Sequence, residues 1–222
     1  MDRTLIVIDG LDGSGKATQT ALLKDALTAA GKSVRTVSFP DYSDPSSALV
    51  RMYLGGEFGP DASDVNAYAA SSFYAVDRYA SYKRFWEQDY RNGTVILADR
   101  YVSSNAIHQM VKLHKAQWDG FLSWMEDYEY EKLTLPRPAA VIYLDMHPDV
   151  SRRLLAGRYN GDESKKDLHE RDFQYLLSCR EAALYTAGRQ GWKVIRCDDE
   201  KEPFSVEAIH QVIFETIKEM IE

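Results

Sequence analysis

Five short runs of mostly apolar, β-branched residues punctuate the chain, at 4–9, 33–39, 94–99, 139–145 and 192–197. The first, third and fourth are nearly continuous in apolar residues rather than alternating. That pattern suits strands covered on both faces, as in a parallel sheet. Stretches of helical character lie between them, at 15–30, 65–90, 149–155, 170–189 and 206–221. Strands alternating with helices predict an α/β doubly wound layer structure with right-handed crossovers. Gly31 stands where a helix stop belongs, directly after Ala29 and Ala30. No repeat, low-complexity tract or linker interrupts the pattern, so one domain over 1–222 is expected. Two stretches break the alternation. Residues 41–63 carry Pro45, Gly55, Gly56, Gly59 and Pro60, and 157–166 is polar and mixed in charge. Both read as surface loops, and long loops of this kind are candidates for lids or binding segments.

Charge narrows the classes of function. Against 34 acidic residues stand 27 Lys and Arg, a net of −7. A chain whose main business is coating a nucleic-acid polymer usually carries a basic surplus. The 45% of apolar residues suffices for a sizeable core. Cys179 and Cys197 show no metal-binding spacing, so neither a disulfide scaffold nor a structural zinc is expected. The apolar stretch near the N-terminus is too short for a signal peptide, and no run approaches membrane-spanning length. A cytoplasmic protein is the expectation.

The chemistry starts where the first strand ends. Gly10, four intervening residues, Gly15 and Lys16 form GxxxxGK between a predicted strand and a predicted helix, the context of a phosphate-binding loop. Gly10, Gly13 and Gly15 allow a tight turn whose backbone N–H groups converge on an anion at a helix N-terminus. Lys16 adds a mobile positive charge for the β- and γ-phosphates. The following residue in such loops is Ser or Thr, whose hydroxyl holds Mg²⁺; here it is Ala17. Thr18 does not stand in simply, because one step along a helix turns the side chain by roughly 100°. A metal would then lean on water or on the carboxylates Asp99 and Asp12.

Past the third strand run Asp99-Arg100-Tyr101 and then Ser104, Asn105, His108 and Gln109. Here the chain resembles the thymidylate kinases, P-loop nucleoside monophosphate kinases with DRYxxS at this place, commonly followed by Asn and later Gln. The loop GLDGSGKAT is similar to the family's GxDGxGKST. Tyr74 and Arg78, Pro45 and Arg51, and Asp167 and Glu170 match further family spacings in order. The resemblance implies a three-layer α/β/α sandwich on a five-stranded parallel sheet with a short lid. It implies transfer of the γ-phosphoryl of ATP to dTMP, with Mg²⁺, in a homodimer. It puts Gly10, Gly13, Ser14, Gly15, Lys16, Ala17 and Thr18 around the ATP phosphates. Arg100 holds the acceptor phosphate, with Arg51 as helper, and Asp12 lies near the acceptor's 3′-hydroxyl. Tyr74 stacks on thymine, Arg78 donates to its O4, Phe39 walls the pocket, and Ser104, Asn105 and Gln109 line it. Without the resemblance, Tyr74 reads as ordinary core and His108 as a histidine on a helix surface. Asp41 stands where the family commonly has an arginine.

The catalytic positive charge must have a source. Some thymidylate kinases carry an arginine in the loop at the place of Gly13; the other subtype supplies it from a basic lid. The lid candidates, about 157–167, are Arg158, Lys165 and Lys166, with Arg153 on the helix leading in, and Arg158 is preferred for its planar fork. Asp99 is the metal candidate, with a helix cap as its structural alternative. Two other readings remain open: a kinase for another pyrimidine nucleoside monophosphate, and a P-loop switch protein without rapid transfer.

Overall fold

The computed structural model describes residues 3–158 and 173–221, with side chains for 3–155 and 173–218. Its sheet has five strands, β1 (Leu5–Gly10), β2 (Val34–Ser38), β3 (Val95–Asp99), β4 (Ala140–Asp145) and β5 (Lys193–Arg196). They run parallel in the order β2-β3-β1-β4-β5. The continuous apolar runs occupy the centre, as two-sided burial demands: every residue of β1 and β4 is buried. Edge strands β2 and β5 are more open, and every residue in them except Ile195 is at least partly exposed.

Successive side chains of a strand point to opposite faces, and here each face meets its own helices. Ile6, Ile8, Leu97, Ile142 and Leu144 pack with Leu23 and Leu27 of α1 (Lys16–Ala29) and Ile209, Ile213 and Ile217 of α9 (Val206–Ile221). Leu5, Val7, Ile96, Ala98, Val141 and Tyr143 pack on the other side. Their partners come from α3 (Ala67–Ser81), α5 (Ser103–His108), α6 (Trp118–Glu126) and α8 (Phe173–Gln190). Three layers follow from a period of two in the strands. Each fully buried Leu or Ile contributes roughly 1.5–3 kcal/mol over its exposed state.

Several elements differ from the sequence expectation, among them α6, which no expected helical stretch covers. The stretch 41–63 contains α2 (Ala48–Leu54), seven residues with no glycine or proline, entered through a turn at Pro45–Ser47 that Asp44 caps by accepting from Ser46 N. The expected helix over 65–90 is interrupted: α3 passes into a π-helical turn, Tyr82–Trp86, before α4 (Glu87–Arg91). A second π turn, Asp127–Lys132, extends α6. The seventh helix, α7 (Pro148–Arg158), follows β4. Among the described residues, no helix is long and apolar enough to cross a membrane.

Candidate active site

The carboxyl ends of β1 and β3 carry Asp9, Gly10 and Asp99 side by side, since Ile8 pairs with Asp99 in the sheet register. The loop between β1 and α1 is tight. A Cβ on Gly10 would lie 2.5 Å from Ser14 Oγ and 2.9 Å from Leu144 O. Gly13, at φ +81, is packed against α7: a Cβ there would lie 2.7 Å from Ser151 O and 3.0 Å from Leu155 Cγ. A side chain at position 13 is therefore excluded by both conformation and contact. At the helix start Gly15 supplies no side-chain cap, so the first N–H groups of α1 face the loop without an intrahelical partner. Lys16, buried, folds back over this loop. Its Nζ donates to Leu11 O at 2.9 Å and stands 3.5 Å from Asp12 Oδ1. Ala17 and Thr18 are exposed.

Arg100 reaches the same place from β3. Its backbone takes φ 68, a conformation L-residues rarely adopt, while its N–H is held by Ile8 O at 3.0 Å. Such strain is tolerated where neighbours over-determine the geometry, and it concentrates at functional positions. The guanidinium pairs with Asp12 through Nη2 and lies 3.9 Å from Asp9 Oδ1. Nη1 donates to His108 Nε2 at 3.0 Å. Because arginine only donates, that nitrogen is an acceptor here. His108 is thus a buried member of the cleft, contrary to the surface position expected for it.

Electrostatics tie these groups together. Burial alone would raise the Asp12 carboxyl, yet Arg100 and Lys16 beside it hold it well below the ordinary carboxylate range. Burial, and then Arg100, pulls the Lys16 ammonium down against the attraction of Asp12, Asp99 and Asp9. Arg100 is raised despite burial, by Asp12, Asp9 and Asp99. Asp99 is raised, chiefly by burial, and its carboxyl makes no hydrogen bond or ion pair within the described residues. Asp9, Asp12 and Asp99 outnumber Lys16 and Arg100, three carboxylates to two cations. An incoming polyphosphate must therefore be accompanied by further positive charge.

Asp9 was not among the expected site residues. It is fully buried and accepts from Gly10 N at 2.9 Å, Ser103 Oγ at 2.6 Å and Ser104 Oγ at 2.8 Å. It thereby joins the phosphate loop to the start of α5, and Ser104, expected at the ligand, spends its proton on Asp9.

A second buried network lies one turn further along α5. Arg78 is 1% exposed and grips Glu129 through Nε and Nη2, both at 2.7 Å, with Nη1 donating to Tyr101 O at 3.2 Å. Burial lowers and Glu129 raises the guanidinium pKa, and the net direction is upward. Asn105 Nδ2 donates to Glu129 Oε1 at 2.8 Å and Ser71 O at 3.2 Å. Gln109 Oε1 and Ser71 Oγ are buried with no hydrogen-bond partner among the described residues. Unsatisfied polar atoms at such depth call for a ligand or water. Tyr74 is half-buried, its ring edge-on to Tyr53 at 6.5 Å. Phe39 is a core residue, 3% exposed, against Tyr101.

The remaining expected residues lie apart. Arg51 uses Nη1 to hold Tyr42 O, Asp44 O and Ser47 Oγ, and no carboxylate pairs with it among the described residues. Arg153 donates to Lys201 O and stands 3.7 Å from Glu202, on the β5–α9 connection. The Arg158 side chain, and all of Lys165 and Lys166 with most of the expected lid, lie outside the described residues. No cluster of three or more His, Cys, Asp or Glu able to hold a metal forms among the described residues.

The family model described as thymidylate kinase matches residues 8–212. The thymidylate kinase of Mycobacterium tuberculosis is 34% identical over 191 residues, covering 85% of this chain and 87% of that protein. The human thymidylate kinase is 29% identical over 213 residues, covering 94% and 87%. A solved structure of thymidylate kinase from Candida albicans superposes with a TM-score of 0.70 at 20% identity, covering 98% of this chain and 92% of that one, which establishes the shared fold.

Proposed function

The chain belongs to the thymidylate kinase family, and from that premise we propose that it transfers the γ-phosphoryl of ATP to dTMP, giving dTDP. The observation that carries this reading is the meeting of Lys16 and Arg100 across Asp12. One cation belongs to a loop built for a polyphosphate; the other stands beside it at the carboxyl edge of the sheet, where open α/β folds bind ligands.

The mechanism asks for little covalent chemistry. Loop amides and Lys16 hold the donor phosphates, and Arg100 exchanges Asp12 for the acceptor's phosphate and sets it in line. Asp12, released toward the acceptor sugar, accepts from its 3′-hydroxyl. No protein base is required, since the attacking oxygen is already anionic. The crowded backbone at Gly13 supports delivery of the further positive charge from the lid, by Arg158, Lys165 or Lys166, and lid closure excludes water. For a magnesium ion the cleft offers one carboxylate free of ion pairs, Asp99, and a local excess of negative charge that favours a dication, while Ala17 withholds the usual hydroxyl ligand and leaves that place to water. Bound with ATP, the ion would be held through Asp99 or its water and supply charge neutralisation.

For the base, Arg78 presents donors, and the amide oxygen of Asn105 and the buried, unpartnered Oε1 of Gln109 present acceptors, a pattern suited to a pyrimidine with a C4 carbonyl and an N3–H. Tyr74 supplies a ring beside it, and Phe39 backs the pocket wall. Arg51 supports the acceptor-phosphate loop. Exposed Tyr68, Tyr79 and Phe85 support a homodimer, and the whole chain is read as one cytoplasmic kinase domain.

A coupled assay across dTMP, dUMP, dCMP, dGMP and AMP tests the reading. We expect dTMP to be preferred over dCMP by at least about tenfold in kcat/KM, and ATP turnover to stop when the acceptor is omitted. Equal rates with dCMP would defeat the base reading. ATP hydrolysis independent of acceptor would instead favour a nucleotide switch, the reading that Ala17 supports.

A further inference from the structure

We infer that Glu129 is a specificity-determining positioning residue: it holds Arg78 and Asn105 in the one arrangement that discriminates thymine-like from cytosine-like acceptors. The inference rests on the proposed dTMP reading and extends it to a residue that touches no substrate.

Glu129 is placed against the local pattern. Trp118, Phe121, Leu122 and Met125 form the buried stripe of α6 at helical spacing, and Glu129, four residues on, continues it. An apolar side chain belongs there. A carboxylate stands there instead, 1% exposed, in a π-helical turn whose Asp127, Glu131 and Lys132 face solvent. A buried charge at a core position is costly unless paired and hydrogen-bonded, and Glu129 is both. It takes two parallel bonds from Arg78 and one from Asn105.

The consequences for the two partners follow by counting donors. A guanidinium has five N–H groups. Glu129 takes two and Tyr101 O takes one, leaving two for a ligand. The bidentate grip also fixes the guanidinium plane, and with it the directions of those two, one on Nη1 and one on Nη2. Asn105 is the more telling case, because an amide can present either end. Facing Glu129, an acceptor-only carboxylate, only the nitrogen end is tolerated. Both Nδ2 hydrogens are then spent, on Glu129 and on Ser71 O. The end left unengaged is Oδ1, an acceptor. The pair therefore offers a donor from Arg78 beside an acceptor from Asn105. A base with a carbonyl next to a ring N–H complements that pair; one with an amino group next to a bare ring nitrogen meets donor with donor and acceptor with acceptor.

Glu129→Gln removes the constraint while preserving shape, since the amide can accept or donate and Asn105 is free to turn. The expected result is a fall in the dTMP:dCMP ratio of kcat/KM by about tenfold or more. KM for dTMP should rise, KM for ATP should stay within about twofold, and kcat at saturating dTMP should change least. A role confined to fold stability would lower active enzyme for both acceptors alike and leave the ratio unmoved. Glu129→Asp keeps the charge but cannot span both partners from a shorter stem, so it should fold where the glutamine variant fails and give an intermediate ratio. A wild-type ratio in either folded variant overturns the inference. The wild-type protein is assayed first: absence of any dTMP preference there counts against the proposed function itself, whereas a preference that survives at position 129 counts against Glu129 alone.

Discussion

Arg100→Ala should lower kcat/KM for dTMP by on the order of 10²–10³-fold, the usual cost of removing one preorganised charge from a phosphoryl-transfer site. ATP affinity of the free enzyme should stay within about twofold. The asymmetry follows from geometry. Arg100 reaches the cleft from β3 and touches Asp12, Asp9 and His108, whereas the donor loop is closed by its own backbone and by Lys16. Steady-state kinetics in dTMP, paired with an equilibrium ATP titration, separates the two. Equal weakening of both nucleotides would place Arg100 at the donor and contradict the assignment. The variant should also melt lower, because Asp12 and Asp9 lose the cation that compensates them. Arg100→Lys retains the charge, and a partial recovery of rate would assign the remainder to the planar fork.

Lys16→Met should act on a different parameter. Its ammonium is directed by Leu11 O and Asp12 over the phosphate loop, where a polyphosphate would replace those contacts. We expect kcat to fall on the order of 10²–10³-fold with every accepted acceptor, and KM for dTMP to change little. The dTMP:dCMP ratio should be unaffected, since the base network of Arg78, Asn105 and Glu129 is separate. A ratio that moved in Lys16→Met would mean that the two networks are not independent. Single-turnover measurements with saturating ATP distinguish lost transfer from lost binding.

How much of this was legible beforehand can be read from individual residues. The sheet was legible because three strands are apolar on both faces, and two-sided burial leaves a mark that needs no tertiary knowledge. The phosphate loop was legible because its glycines and lysine sit at fixed spacing between a strand and a helix. α2 was hidden by the Pro45, Gly55 and Gly56 that bracket it; seven helical residues between breakers look like a loop. The π turns left no trace, since a single extra residue per turn barely shifts the apolar period. Asp9 carried a signal, a carboxylate directly before Gly10 at the end of an apolar run, but its function depends on Ser103, Ser104 and Arg100 arriving from ninety residues away. Glu129 carried one as well, by breaking the stripe of Trp118, Phe121, Leu122 and Met125. Its neighbours Asp127 and Glu131 masked it. The burial of His108 arises from the packing of α5 against α8, with Tyr175 donating to His108 O, and nothing local announces it.

On the proposed function, donor and acceptor phosphates meet in one cleft, between the Lys16 loop and Arg100. A crystal grown with dTMP and a non-hydrolysable ATP analogue tests it most directly. The dTMP phosphate should lie on Arg100, with an oxygen roughly 3–3.5 Å from the γ-phosphorus and in line with the bond to be broken. A dTMP phosphate bound away from Arg100, or facing the donor from outside that line, would contradict it.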